Sequence, residues 1–210
     1  MLERITVSLQ AYYDTVIGAK NILDNALVQV RENYIGASLA EKTKEVQDVY
    51  NQTLDESRKT NYDACMEVLN GVEERVQEIV KVPVPADFPA TLEALKQINN
   101  PSKTELETLV GAYRNNYYAY RAIRDYLKVP TPSFTIGRNT YLLTLDGIQE
   151  AILDIKDILH KCFFSDNVDG YHFLNIKDGT QISSYDALFT SFCDGRFEDI
   201  YVVDASGSEL

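Results

Sequence analysis

Tryptophan is absent from this 210-residue chain, and histidine occurs only at two positions. With so few imidazoles, any Ser-His-Asp or Cys-His catalytic system would have to be built on His160 or His172. No Gly-x-Ser-x-Gly nucleophile turn accompanies them. Phosphate-cradling loops are missing too, since neither Gly-x-Gly-x-x-Gly nor Gly-Lys followed by Ser or Thr occurs. Cysteine is scarce and odd in number (Cys65, Cys162, Cys193), which is no disulfide framework, so a reducing compartment is expected. No apolar run is long enough to span a membrane and the N-terminus has no leader-like stretch, so the expectation is a soluble, cytoplasmic protein. Bases are also in short supply: 20 Lys and Arg face 32 Asp and Glu, for a net charge of -12. That disfavours direct contact with nucleic acid or an anionic membrane and favours a protein partner with a basic surface.

What the chain does contain is helical periodicity. Residues 38–81 read as one very long helix. Ser38 and Glu41 are spaced as a capping box, and Gly36 suits the left-handed residue that ends a preceding helix. Leu39, Val46, Val49 or Tyr50, Leu54, Cys65, Val68, Leu69, Val72, Val76 and Ile79 fall on one face. At about 1.5 Å per residue such a helix spans roughly 65 Å. Between Asn51 and Asp63 the stripe thins to Leu54 and Tyr62, which leaves two readings, a solvated mid-section or a break near Thr60 and Asn61. Residues 1–33 carry a matching stripe from Leu2 through Ile5, Leu9, Tyr12, Val16, Ala19 and Leu23 to Val30. A short turn at 33–37 makes the two an antiparallel hairpin, although a single helix running through Gly36 is the other option.

Three prolines in Val82-Pro83-Val84-Pro85-Ala86-Asp87-Phe88-Pro89 impose an extended linker. A short helix is expected over 89–98 with Leu92, Leu95 and Ile98 inward. Ser102 and Glu105 form a second capping box that opens a helix to about Leu127. Its stripe is Leu106, Leu109, Val110, Tyr113, Tyr117, Tyr120, Ile123 and Leu127. A last long helix, about 139–163, places Tyr141, Leu145, Ile148, Ile152, Ile155 and Leu159 on one face. Beyond Phe164 the character changes to Asp-Gly turns. A small hairpin is expected from 171–176 and 181–183, a short helix over 185–193, a strand over 200–203 and a frayed tail. Nine acids against Lys177 and Arg196 give residues 164–210 a net charge of -7.

Candidate chemistry is sparse. Asp146, Glu150, Asp154, Asp157 and His160 share a helix face at the spacing of a helical-bundle metal site. They stand off the apolar stripe, and no inward carboxylates on other helices complete the set, so a solvated acidic face is expected and no metal or cofactor is assigned. His160, Cys162, His172 and Cys193 lack the paired short spacing of a zinc site. Around Tyr113–Arg121, aromatics alternate with bases. Core packing of Tyr113, Tyr117 and Tyr120 would leave Tyr118, Arg114, Arg121 and Arg124 as an exposed edge suited to a protein partner. Leu54 and Tyr62, in the thinly packed middle of the long helix, complete the candidate partner surface.

One resemblance arises from segment order. The steps Val76, Ile79 and Val80 lead into Pro83-Val84-Pro85-Ala86-Asp87-Phe88, then Leu92-Glu93-Ala94-Leu95, Asn100-Pro101-Ser102, and Asn116-Tyr117 before Arg121-Ala122-Ile123. Over residues 35–128 this resembles uncharacterised helical proteins of phages and prophages of Gram-positive bacteria. The resemblance implies a phage-type assembly or accessory role in a bacterial host cytoplasm and supplies no catalytic residue.

The expected fold class is mainly α: an elongated antiparallel helical hairpin or bundle, coiled-coil-like, with one very long helix and a small α+β C-terminal segment. The expected division is a hairpin over 1–82, a linker over 83–88, a three-helix segment over 89–163 packed on the hairpin, and an acidic appendage over 164–210. A non-enzymatic interaction or assembly protein, homo-oligomeric and of the phage scaffolding or head-associated kind, is the leading functional reading. An acidic inhibitor filling a host protein's nucleic-acid site, and a metal-dependent helical-bundle enzyme, are the alternatives.

Overall fold

The computed structural model describes residues 2–98, 101–164 and 180–193, and over these the protein is mainly α. In chain order the elements are α1 (Glu3–Asn33), α2 (Gly36–Lys81), α3 (Phe88–Gln97), α4 (Lys103–Tyr113), α5 (Tyr117–Leu127), β1 (Ser133–Ile136), β2 (Asn139–Leu142), α6 (Leu145–Phe164) and α7 (Thr180–Cys193). They fall into two compact units, one within Met1–Leu69 and Leu153–Ser183, the other within Asn70–Ile152 and Ser184–Leu210.

The first unit is organised by the α1–α2 hairpin. Gly36 has φ 60°, the left-handed value expected of it, and the chain turns there rather than running on as one helix. Helix α2 begins at Gly36, so Ser38 sits inside its first turn and is not the cap. No break occurs near Thr60, and α2 is a single 46-residue helix. Pairing is antiparallel: Arg4 meets Glu67 at 3.4 Å, the Cys65 thiol approaches the Ile5 carbonyl at 3.9 Å, and Arg58 Nε donates to the Tyr12 hydroxyl at 3.4 Å. At this end Leu2, Ile5, Leu9, Tyr12, Cys65 and Leu69 are buried, with Ile155, Leu159, Cys162 and Phe163 of α6. The Tyr12 and Phe163 rings lie 4.8 Å apart, which ties α6 to the hairpin.

In the second unit Pro89 occupies the first turn of α3 and the Ser102–Glu105 capping box is complete, with Ser102 N to Glu105 Oε2 at 2.7 Å and Glu105 N to Ser102 Oγ at 3.3 Å. Phe88, Leu95, Leu106, Leu109, Tyr113, Ala119 and Ile123 make its helical core.

Three expectations are corrected. The helix from Ser102 to Leu127 is broken at Arg114–Asn116 into α4 and α5. Asn116 leaves helical geometry and caps α5, its Oδ1 accepting from Ala119 N at 2.9 Å. Its Nδ2 donates to the Pro83 carbonyl at 2.9 Å and the Val82 carbonyl at 3.2 Å. Residues 139–142 are not the start of α6. They pair with 133–136 in an antiparallel hairpin, with Phe134 opposite Tyr141 and a two-residue Gly137-Arg138 loop. Residues 181–183, expected as a strand, lie in α7, which contains the expected 185–193 helix and starts five residues earlier. The expected strands over 171–176 and 200–203 and the tail lie outside the described residues.

One glycine fixes how hairpin and helix meet. A Cβ at Gly147 would stand 2.1 Å from the Leu142 carbonyl oxygen, so only glycine permits this approach of α6 to β2.

Candidate functional site

Away from the packed end of the hairpin, α1 and α2 are less covered. Ala19, Ile22, Leu23 and Ala26 on α1 and Val46, Val49, Tyr50 and Thr53 on α2 line an open groove of about 380 Å³, with Glu45 on its rim. The local sequence makes it so: Ala19 and Ala26 are seven apart, as are Val46 and Thr53, so small and β-branched residues stack along one seam. Small side chains leave the seam underfilled. Ile22 is 71% exposed and Val49 64%, although both are large and apolar. Isolated exposed hydrophobics are ordinary on a protein surface, whereas these two border one continuous apolar groove.

Leu54 and Tyr62 belong to the same unit. Leu54 is half-buried, and Tyr62 stacks edge-on against Phe163 (5.6 Å) and Phe164 (4.9 Å) of α6. The Arg58 guanidinium lies 5.8 Å from the Phe164 ring centroid, within cation–π range, and pairs with Asp55 at 2.8 Å. So the polar mid-section of α2 is not uniformly bare. From Arg58 onward α6 packs on it, while Asn51–Thr53, Asp55 and Glu56 stay exposed.

The Tyr and Arg edge lies in the second unit. Tyr118 is 46% exposed and touches Tyr117 edge-on at 5.1 Å, and Arg121 is exposed. Arg114 is also exposed, but as the C-terminal cap of α4 it belongs to a different helix from Arg121, so their seven-residue spacing no longer defines one face. Arg124 leaves the edge altogether. It is 6% exposed, its Nη2 donating to the Pro130 carbonyl, and burial pulls its pKa below the ordinary guanidinium value.

Asp146, Glu150, Asp157 and His160 are exposed and Asp154 half-buried, with Asp157 paired to Lys161. Among the described residues no group of three or more His, Cys, Asp or Glu side chains could hold a metal ion. Cys65, Cys162 and Cys193 are buried thiols, and none of them is in a disulfide. Burial pushes the Cys65 and Cys162 thiols up to about 12, far from a reactive nucleophile. No described helix is long and apolar enough to cross a membrane.

No family model matches the chain, and no curated protein or solved structure does either.

Helical spacing alone does not reveal the groove, because an apolar stripe on α1 facing one on α2 reads as a closed hairpin interface. A signal was present: alanine at 19 and 26 opposite valine and threonine supplies too little volume to close two helices.

Proposed function

We propose that this is a non-enzymatic interaction or assembly protein that self-associates, and that the α1–α2 groove is the contact surface. The carrying observation is the open apolar groove flanked by Ile22 and Val49. A second copy suits it on charge. Residues 17–53 hold four bases (Lys20, Arg31, Lys42, Lys44) against five acids (Asp24, Glu32, Glu41, Glu45, Asp48). In a chain of net charge -12 this is nearly neutral ground, where two copies meet with little repulsion. Burying two facing grooves would let small residues bring helices close and complete a four-helix packing. The setting implied by the resemblance of residues 35–128, a phage-type assembly or accessory protein, is part of the same proposal.

Light scattering coupled to size exclusion tests the reading. The native chain should give a mass above its 23.8 kDa monomer. Ile22→Glu and Val49→Glu should each return it to the monomer while leaving helix content unchanged. A native chain that is monomeric at every concentration would overturn the proposal.

A further inference from the structure

The second unit has an apolar groove of its own. Between α3 and α4, Ala94, Leu95 and Ile98 on one side and Leu109, Ala112 and Tyr113 on the other line about 400 Å³ of open space. Ile98 is 41% exposed, and Ala94 and Ala112 are exposed as well. Two alanines at these positions leave room that α3 and α4 do not fill themselves. Polar groups on the wall are turned to their own helices. The Thr91 and Thr108 hydroxyls donate to carbonyls one turn back, at 3.0 and 2.7 Å, and Ser102 N and Oγ hold the Glu105 carboxylate at 2.7 Å. The groove therefore presents apolar surface, and its occupant should be apolar too.

We propose that the chain's own residues 197–203 dock in this groove. Their sequence, Phe-Glu-Asp-Ile-Tyr-Val-Val, sets five apolar or aromatic side chains within seven positions. Where the described chain stops also fits. Helix α7 ends at Cys193 in the same unit as the groove, with the Phe192 ring 5.4 Å from that of Tyr117. Tyr117 lies only four residues beyond Tyr113 on the groove wall. The seven residues from Cys193 to Ile200 reach about 23 Å when extended, enough to bring the apolar run there. Charge permits the contact. Glu198, Asp199 and Asp204 flank the run, and residues 88–116 balance Lys96, Lys103 and Arg114 against Glu93, Glu105 and Glu107. In a chain of net charge -12, that neutral patch meets an acidic segment without net repulsion. Attachment favours this occupant over a second copy, since a tethered segment acts at an effective concentration on the order of millimolar.

The full-length chain, labelled with ¹⁵N, is compared with the double variant Ile200→Asp, Val202→Asp. Docking predicts amide shift changes at Ala94, Ile98, Thr108 and Ala112. They should keep their size when both samples are diluted about tenfold, because an intramolecular contact does not depend on concentration. A synthetic peptide of residues 196–204 should bind the double variant saturably at those amides. It should bind the native chain about tenfold more weakly or less, because the groove there is already filled. Should the double variant lose its dispersed spectrum, Ala112→Glu, at an exposed position, gives the reciprocal reading, a shift of the amides of residues 200–203. Groove amides unchanged in the double variant, tail amides unchanged in Ala112→Glu, or equal peptide affinity for both chains would overturn the proposal. Shifts that disappear on dilution would overturn it too, since a second copy would then be the occupant.

Discussion

Both ends of the α1–α2 hairpin carry an apolar stripe at helical spacing, and their outcomes differ. At the end holding Ile5, Leu9 and Tyr12 the stripe meets Cys65 and Leu69 and is roofed by Phe163 of α6, and all of these are buried. At the other end Ile22 and Val49 are largely exposed beside the groove. Helical spacing decides which face of a helix is apolar. It does not decide what covers that face. A third helix supplies the cover at one end, and at the other we propose that a second copy does.

That contrast can be broken first by the largest effect. Phe163→Ala removes a ring packed on Tyr12 and Tyr62 and should cost about 3–5 kcal/mol in urea unfolding. Val49→Ala, at the open end, should cost no more than about 0.5 kcal/mol when measured on the monomer. Equal costs would mean that the two ends do not differ in packing.

Thiol chemistry sharpens the same comparison. The Cys65 and Cys162 thiols rise from the ordinary 9.0 to about 12 because burial disfavours the thiolate. Their folded pKa lies above the unfolded one, so the stabilisation is complete below pH 9 and is lost as pH climbs toward 12. Each thiol should contribute a slope of about 1.4 kcal/mol per pH unit within that window. Unfolding curves of the native chain and of the Cys65→Ala, Cys162→Ala double variant should therefore converge as pH rises. Modification at pH 8 gives a direct reading. The Cys65 and Cys162 thiols should resist a thiol reagent until the chain is unfolded, whereas Val49→Cys, on an Ile22→Glu background that keeps the chain monomeric, should react at the rate of an exposed thiol.

Smaller effects belong to the second unit, which is closed by caps as well as by its core. Asn116→Ala removes the α5 cap and leaves two linker carbonyls without their donor, and it should cost about 2 kcal/mol. Ser102→Ala should cost about 1 kcal/mol. Hydrogen bonds from Ser102 hold the Glu105 carboxyl below its ordinary value. Its folded pKa is thus depressed, so its contribution is present above the unfolded value and fades as pH falls. Ser102→Ala should flatten that acid limb of the stability curve.

Much of the secondary structure is legible in the residues themselves. The span of α1, the turn at Gly36, the length of α2, the proline-led α3 and the Ser102 capping box follow from local chemistry, as does the buried stripe Ile148, Ile152, Ile155 and Leu159 of α6. The break at Asn116 is not legible in the stripe. Tyr113, Tyr117 and Tyr120 keep helical steps across it, and the Asn116 side chain chooses a cap because linker carbonyls 33 and 34 residues away accept its amide. Residues 133–142 carry alternating β-branched and aromatic residues around Gly137, a strand signal that was overridden by helical spacing running back from Leu145 through Tyr141.

By itself, then, the sequence determined which segments are helical and which face of each is apolar, because propensity, caps and 3.6-residue spacing act within a few residues of one another. Tertiary structure alone decided that Arg124 is buried, that Gly147 lets α6 approach β2, and that α6 roofs the Ile5–Tyr12 end of the hairpin. Those outcomes depend on which distant atoms occupy the remaining space, and no local pattern encodes that.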